Sequence, residues 1–168
     1  MSSQPRRQPR RRKSEVPGGG AFPHRNLPLL LLQARESVLA RFRPILNAHG
    51  ITEQQWRIVR AVLEAGPLEP RQIGECCAIS SPSLAGILAR MEALGFIARE
   101  RLPHDQRRVR VSLTAKSRTL ASRMAPQIEA AYALIEARLG TGFTVGCYGA
   151  LDEMIALLGK AAAEAGAE

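Results

Sequence analysis

The densest group of chemically active side chains lies between residues 99 and 110, where five arginines accompany only two acidic residues. Guanidinium groups match phosphate oxygens in geometry and charge, so such a cluster is typical of proteins that contact a nucleic-acid backbone. We expect Arg107 and Arg108 to contact DNA. Asp105 is expected to clamp the Arg107 guanidinium in a bidentate pair that fixes the shape of the segment. The alternative is a merely solvated surface charge cluster.

A second group of candidate DNA contacts lies on a predicted helix over residues 81–94. Ser81 is expected to be its N-cap, with Pro82 at the first helical position. Apolar residues at three- and four-residue steps form one face of this helix, whereas Ser83, Gly86 and Arg90 form the other. These small or basic residues allow a close approach to a major groove, and the free N–H groups beside Ser81 can bind a phosphate.

The elements around these residues predict a mainly α fold with one small β-hairpin. Hydrophobic periodicity indicates a first helix over 28–47, and a capping box formed by Thr52 and Gln55 starts a second helix that buries Trp56 and Leu63. The period then changes from near 3.6 to 2, and Pro126 is expected to kink or break the helix that follows the hairpin. The remaining predicted elements are a short helix over 69–77, strands over 96–102 and 108–113, and helices over about 115–139 and 144–163.

Helix, helix, tight turn, helix and hairpin is the order of a winged helix-turn-helix, in which one helix enters the major groove and the hairpin, or wing, contacts the backbone. We assign the DNA-reading head to about 52–114. The helices over about 28–48 and 115–163 have apolar stripes that this head is too small to cover, so we expect them to form a homodimer that reads a palindromic operator. The domain thus spans 28–168.

The net charge of +9 is unevenly distributed. Residues 1–27 carry seven Arg or Lys against one Glu, and their Arg, Pro, Ser and Gly content predicts a disordered basic tail. The tail therefore accounts for +6, which leaves +3 for the remainder. A basic tail alone does not make a specific DNA reader, so the prediction of DNA binding depends on the helix and the hairpin.

Other function classes find little support in the sequence. No nucleophile elbow, phosphate loop or zinc-protease motif is present, so we expect no enzyme and no cofactor. The three histidines are far apart and the three cysteines have no ligand spacing, so we expect no metal site. Adjacent Cys76 and Cys77 are interpreted as buried structural thiols of a cytoplasmic protein. No apolar run is long enough to span a membrane.

The motifs also resemble those of a known family. The run Asp105-Gln106-Arg107-Arg108-Val109-Arg110-Val111-Ser112-Leu113-Thr114 resembles the wing signature of the MarR family, D-x-R-x3-V-x-L-T. The run Gly50-Ile51-Thr52-Glu53-Gln54-Gln55-Trp56 resembles the entry to the second helix of that family. Shorter runs over 32–36, 42–45 and 52–60 are similar to the homoprotocatechuate degradation operon regulators within it. The resemblance covers roughly 28–160.

The resemblance implies a homodimeric transcriptional repressor that a small aromatic acid, such as 3,4-dihydroxyphenylacetate, releases from its operator. Arg35, beside Gln33 and Ser37, is a candidate partner for the carboxylate, Trp56 for the ring and His49 for a phenol. Each has an alternative: an ion pair for Arg35, a core position for Trp56 and an exposed turn for His49. The alternative for the whole chain is an architectural or protein-interaction winged helix without a small-molecule ligand.

Overall fold

The computed structural model describes residues 23–102 and 105–165. It confirms the predicted fold class, with six helices and one antiparallel hairpin among the described residues. The chain divides into two compact units after Ser37. Most of the predicted basic tail, residues 1–22, lies outside the described residues. The elements are α1 (Leu27–Ala48), α2 (Glu53–Ala65), α3 (Pro70–Cys76), α4 (Ser81–Ala93), β1 (Ile97–Leu102), β2 (Asp105–Leu113), α5 (Ala115–Leu139) and α6 (Thr141–Ala165).

The described part of the first unit is the beginning of α1. Asn26 caps the helix, since its Oδ1 accepts a hydrogen bond from the N–H of Leu29 at 3.1 Å. Short polar side chains at this position satisfy N–H groups that have no helical partner. The leucines of this unit are exposed, at 36–53% of their surface. They are Leu27, Leu29, Leu30, Leu31 and Leu32.

The second unit holds a continuous apolar core around α2. The predicted capping box is present, with Thr52 Oγ1 accepting from the N–H of Gln55 at 3.2 Å and Gln55 Oε1 accepting from the N–H of Thr52 at 2.9 Å. The prediction that α2 buries Leu63 is wrong, because Leu63 lies beside the buried face and is 37% exposed. Trp56 is half-buried at the edge of the core. The side chains buried most completely are Ile58, Val59, Val62, Ile73, Leu88, Met91, Val111, Met124 and Ile128.

The turn between α3 and α4 contains a non-glycine residue in the left-handed region. Ala78 has φ of +49°. The N–H of Ile79 donates to the carbonyl of Gly74 at 2.9 Å, and the N–H of Ala78 donates to that of Glu75 at 3.3 Å. These two bonds form a Schellman motif, in which the residue after the C-cap is usually glycine. The tight turn of the helix-turn-helix therefore carries backbone strain at Ala78.

The hairpin is joined to the head at its base. Ile97 is opposite Leu113 and Arg101 is opposite Val109 in the antiparallel register. Leu68, just before α3, forms a single antiparallel bridge with Val111 through two backbone hydrogen bonds, of 3.1 and 2.7 Å. The second strand begins at Asp105, three residues earlier than predicted, so the polar residues before Arg108 belong to the strand.

The helix after the hairpin contains Pro126, where the sequence predicted a kink or a break. Instead of a break, α5 is one continuous helix of 25 residues with Pro126 inside it. Buried residues on both sides, Met124 and Ile128, fix the helix against the core, so tertiary packing outweighs the lost hydrogen bond.

Helix α6 buries none of its side chains between residues 141 and 159. Its exposed apolar side chains are Phe143, Val145, Tyr148, Leu151, Ile155, Leu157 and Leu158.

Candidate nucleic-acid interface and effector pocket

Helix α4 separates a buried face from an exposed one, as the sequence predicts. Leu84, Ile87, Leu88 and Met91 are buried. Leu94, the last residue of the helix predicted over 81–94, is instead the C-cap and is 49% exposed. The candidate DNA contacts Ser81, Ser83 and Arg90 are exposed and Gly86 is half-buried. Core packing therefore fixes which side of α4 is turned outward.

The start of α4 lies one residue earlier than predicted. Ser80 is the N-cap, Ser81 is the first helical residue and Pro82 is the second. The Ser80 and Ser83 hydroxyl groups are 3.1 Å apart, in hydrogen-bond contact. Since the first helical N–H groups lack helical partners, this serine-rich start still offers donors to a phosphate.

Gly86 and Arg90 form one feature of the exposed face. A Cβ added at Gly86 would lie 3.5 Å from Nη1 of Arg90, so the guanidinium lies alongside the glycine one helical turn before it. The absence of a side chain at residue 86 leaves that space to the guanidinium. The positive charge of Arg90 therefore lies where no side chain projects from residue 86. This allows the helix to approach base edges closely.

Asp105 shapes the wing by a different bond from the one predicted. Its Oδ1 accepts from the backbone N–H of Arg107 at 3.0 Å, not from the Arg107 guanidinium. A short carboxylate two residues before an N–H forms this local turn readily, and the bond fixes the backbone without using the guanidinium. Arg107 is exposed. Residues 103 and 104, at the tip of the hairpin, lie outside the described residues.

Arg108 is paired with Glu69, the N-cap residue of α3. This contact joins the wing to the helix-turn-helix next to the backbone bonds of Leu68. The carboxylate of Glu69, by its hydrogen bond and its charge, raises the pKa of Arg108. Arg108 therefore has an intramolecular partner that the sequence did not reveal, and its contact with DNA remains a prediction.

The predicted effector residues fall in both units. In the first unit, Arg35 Nη1 lies 2.9 Å from Oε1 of Glu36, and the Ser37 hydroxyl donates to the carbonyl of Gln33 at 2.8 Å. In the second unit, Nε2 of His49 lies 3.3 Å from Nε2 of Gln127 on α5. The ion pair that we gave as the alternative role of Arg35 is therefore present, and its effector role remains a prediction.

Trp56 lines a small cavity between α2 and α5 that the sequence did not predict. The cavity has a volume of about 270 Å³. Binding sites for drug-sized ligands occupy about 300–1,000 Å³, so this one suits a single-ring compound. One wall carries Arg60, whose guanidinium pairs with Glu64 at 2.6 Å. The wall residues are Trp56, Arg60, Leu63, Glu64, Ala121, Ala125, Ile128 and Glu129.

Tyr132 on α5 lies near this cavity. Burial raises the pKa of its phenol, and the positive charge of Arg60 acts in the opposite direction. Its ring contacts that of Phe42, with centroids 4.9 Å apart. The sequence analysis missed Arg60 and Tyr132. The spacing of Trp56 and Arg60, one helical turn apart, was the available signal for the first of them.

Known proteins match this chain in sequence and in fold. The family model described as "MarR family" matches residues 49–108. The homoprotocatechuate degradative operon repressor of Escherichia coli is 42% identical over 134 residues, which cover 80% of this chain and 90% of that protein. This chain belongs to the MarR family. Its winged helix-turn-helix fold and its class, a DNA-binding transcriptional regulator and not an enzyme, are thereby confirmed.

Further relatives support the assignment of this chain to the MarR family. The regulator FarR of Neisseria gonorrhoeae is 40% identical over 117 residues, covering 70% of this chain and 80% of that protein. The solved structure of NadR in complex with 4-hydroxyphenylacetate superposes with a TM-score of 0.73 at 36% identity, covering 82% of this chain and 97% of NadR. Ligand-free NadR gives a TM-score of 0.74 at 34% identity, covering 81% of this chain and 98% of NadR.

The cysteines of this MarR-family chain differ in exposure. Cys77 is buried, as predicted, whereas Cys76 is exposed, which corrects the interpretation of both as buried thiols. Their sulfur atoms are 3.8 Å apart. Burial, with a smaller contribution from Cys76, raises the pKa of the Cys77 thiol to about 12. Cys77 is therefore an unreactive structural thiol.

Within residues 23–102 and 105–165, no group of three or more histidine, cysteine or acidic side chains is placed to hold a metal ion. None of the helices in the same residues is long and apolar enough to cross a membrane.

Proposed function

We propose that this chain is a homodimeric repressor that binds a palindromic operator and is released from it by a hydroxylated phenylacetate. The observation that carries the proposal is the cavity between α2 and α5, which combines an indole ring, Trp56, with a cation, Arg60. An aromatic carboxylic acid can use both groups, although it must compete for Arg60 with Glu64 and lie near Glu129, which also line the cavity. Relatives named for homoprotocatechuate degradation and for 4-hydroxyphenylacetate binding support this choice.

On the DNA side, α4 of each subunit enters a major groove. Ser81 and Ser83 at its start contact phosphates, and Arg90, with Gly86 leaving it room, reaches base edges. The wing lies beside the groove and Arg107 contacts the backbone there. Asp105 supports this role indirectly, because it holds the backbone of Arg107 and leaves the guanidinium available.

Dimer formation is supported by the apolar surface of the terminal helices. Ile155, Leu157 and Leu158 on α6 are more than 60% exposed in the single chain. A contiguous apolar surface of this kind marks a protein interface, and a second copy of the chain covers it symmetrically. A two-fold dimer in turn requires an operator with two half-sites.

A regulator of chromosomal DNA in a bacterium acts in the cytoplasm.

In the pocket, the effector carboxylate pairs with Arg60 and its ring lies against Trp56. Arg60 is held at present by Glu64, so the effector adds a second carboxylate to the same guanidinium or displaces the first. The effector contacts predicted from the sequence, Arg35, Gln33, Ser37 and His49, remain separate predictions, and none of them lines this cavity. The favoured effector is 3,4-dihydroxyphenylacetate, and 4-hydroxyphenylacetate is the nearest related candidate.

The proposal is tested by fluorescence anisotropy on the DNA upstream of the coding region, with and without each of the two acids. We expect tight binding that depends on DNA sequence and is relieved by at least one acid. Sequence-specific binding that neither acid relieves would refute the effector class. Binding that does not depend on sequence would favour the alternative, an architectural winged helix without a ligand.

The pocket is tested separately with Arg60→Met. Arg71→Met is the matched control, since Arg71 forms the same kind of ion pair, with Glu75 four residues later, but lies outside the cavity. We expect Arg60→Met to weaken effector binding in calorimetry by about tenfold or more, the effect of losing a charge-assisted bond, and Arg71→Met to leave it unchanged. Equal effects of the two substitutions on effector binding would show that Arg60 does not bind the effector.

A further inference from the structure

The recognition helix α4 ends in a well-defined cap. Gly95 has φ of +69°, the N–H of Phe96 donates to the carbonyl of Met91 at 2.8 Å, and the N–H of Gly95 donates to that of Glu92 at 2.9 Å. This Schellman motif stops the helix and turns the chain into β1. The carbonyl groups of the three residues that follow the helix, 94–96, then need other donors.

All three carbonyl groups are bound by the start of α5. Lys116 Nζ donates to the carbonyl of Leu94 at 2.7 Å. The Thr114 hydroxyl lies 2.7 Å from the carbonyl oxygen of Gly95 and 3.2 Å from that of Phe96. The buried hydroxyl of Ser117 also donates to the carbonyl of Phe96. We call Thr114, Lys116 and Ser117 the α4–α5 joint.

The three residues of the α4–α5 joint differ in how easily they can move. Ser117 is fully buried, and Thr114 is also the N-cap of α5, so both are fixed to the start of the helix. Lys116 is exposed and reaches the negative end of α4 through a long side chain, with its ammonium group 4.9 Å from the centre of the Phe96 ring. The hydroxyl bonds therefore form a pivot, and the lysine is the contact that can change when α5 changes its angle.

The same helix continues into the candidate effector pocket. Ala121, Ala125 and Ile128 line that cavity, so α5 touches the effector site and the end of the recognition helix at once. Lys116 and Ala125 are nine residues apart, a distance of about 13 Å along a continuous helix. Packed helices that contact two sites can carry coupling between them when they have two arrangements that both sites bias, and the test below asks whether α5 does so.

We propose that Lys116 is the positioning residue that couples the effector pocket to the recognition helix. This inference rests on the effector pocket proposed above. When the effector tilts α5, the pivot at Thr114 and Ser117 holds and the bond from Lys116 to the carbonyl of Leu94 changes. The end of α4 then shifts, and the two recognition helices of the dimer face the operator differently. Lys116 contacts neither ligand, and its role is exerted through α4.

The test compares Lys116→Met, which removes the charge and keeps the aliphatic chain, with Lys116→Arg, which keeps a donor. Arg118→Met is the matched control for loss of one positive charge on an exposed residue of the same helix turn. The first quantity measured is the release ratio, the Kd for operator DNA with saturating effector divided by the Kd without it. We expect Lys116→Met to lower this ratio about fivefold or more, Lys116→Arg to restore most of it, and Arg118→Met to leave it unchanged.

A second quantity needs no effector. Trp56, the single tryptophan of the chain, lines the pocket, so its emission reports whether operator binding reaches that site. Because coupling is reciprocal, we expect DNA to change the Trp56 emission in the unmodified protein and in the Lys116→Arg and Arg118→Met variants, but not in Lys116→Met.

The outcomes separate the two proposals. If neither acid releases the operator but DNA changes the Trp56 emission in a Lys116-dependent way, the proposed effector is wrong and the coupling stands. If Lys116→Met keeps both the release ratio and the emission change, the coupling role is refuted. The same holds if operator binding leaves the Trp56 emission of the unmodified protein unchanged.

Discussion

Replacing Ala78 by glycine should stabilise the protein, although most substitutions of this size destabilise. Ala78 occupies the left-handed position of the turn between α3 and α4, with φ of +49°. For a residue with a Cβ this conformation costs roughly 1–2 kcal/mol. Glycine removes that strain but loses more backbone entropy on folding, about 0.5–1 kcal/mol. The net expectation for Ala78→Gly is a gain of about 0.5–1 kcal/mol in the free energy of unfolding.

The measurement is urea unfolding at a fixed protein concentration, since dimer formation makes stability depend on concentration. In thermal unfolding, a gain of 1 kcal/mol in the free energy of unfolding would raise the Tm of a chain of this length by about 2–4 °C. Ala89→Gly is the control, because Ala89 is exposed on α4 in ordinary helical conformation, where glycine costs about 1 kcal/mol. Equal destabilisation by the two substitutions would refute the strain at Ala78.

Three other perturbations test separate features. Gly74→Ala should destabilise the same turn by about 1–3 kcal/mol in urea unfolding, since its new Cβ would lie 3.2 Å from the carbonyl oxygen of Ile79; unchanged stability would show that the turn relaxes freely. Arg107→Ala should weaken binding to all DNA sequences about equally. It should also reduce the slope of log Kd against log salt concentration by the amount expected for about one phosphate contact, and an unchanged slope would show that Arg107 contacts no phosphate. Iodoacetamide at pH 8 should alkylate the exposed Cys76 and spare Cys77, whose pKa is raised to about 12; mass spectrometry after brief labelling checks this, and rapid modification of Cys77 in the folded protein would contradict its burial.

Much of the fold follows from local patterns. The capping box of Thr52 and Gln55 and the apolar stripe of α4 are readable because each depends on residues within one or two helical turns. Of the kink or break expected at Pro126, the break is absent, because Met124 and Ile128 are buried on either side of it. That packing depends on distant parts of the chain. The strain at Ala78 was likewise invisible, since alanine gives no signal of a left-handed turn.

The residues of the candidate sites also divide into those that a local sequence pattern predicts and those that only contacts between distant parts of the chain bring together. The exposed face of α4 and the arginines of the wing were predicted by residue number, because they depend on local periodicity and charge. Arg60 was missed although it lies one turn after Trp56, since only its position opposite α5 makes it part of a pocket. Tyr132 and the pairing of Arg108 with Glu69 join residues far apart in the sequence, which no local pattern reveals.

The way the wing is attached has a consequence for how operator preference can change. The base of the hairpin is built into the core through Ile97, Val111 and Leu113, and through the backbone bonds between Leu68 and Val111. Outward of Val111, none of the hairpin side chains whose burial is described is buried. Residues at the tip can therefore be exchanged, lengthened or shortened with little effect on folding, so new DNA preferences can arise there, by evolution or by grafting, on an unchanged scaffold.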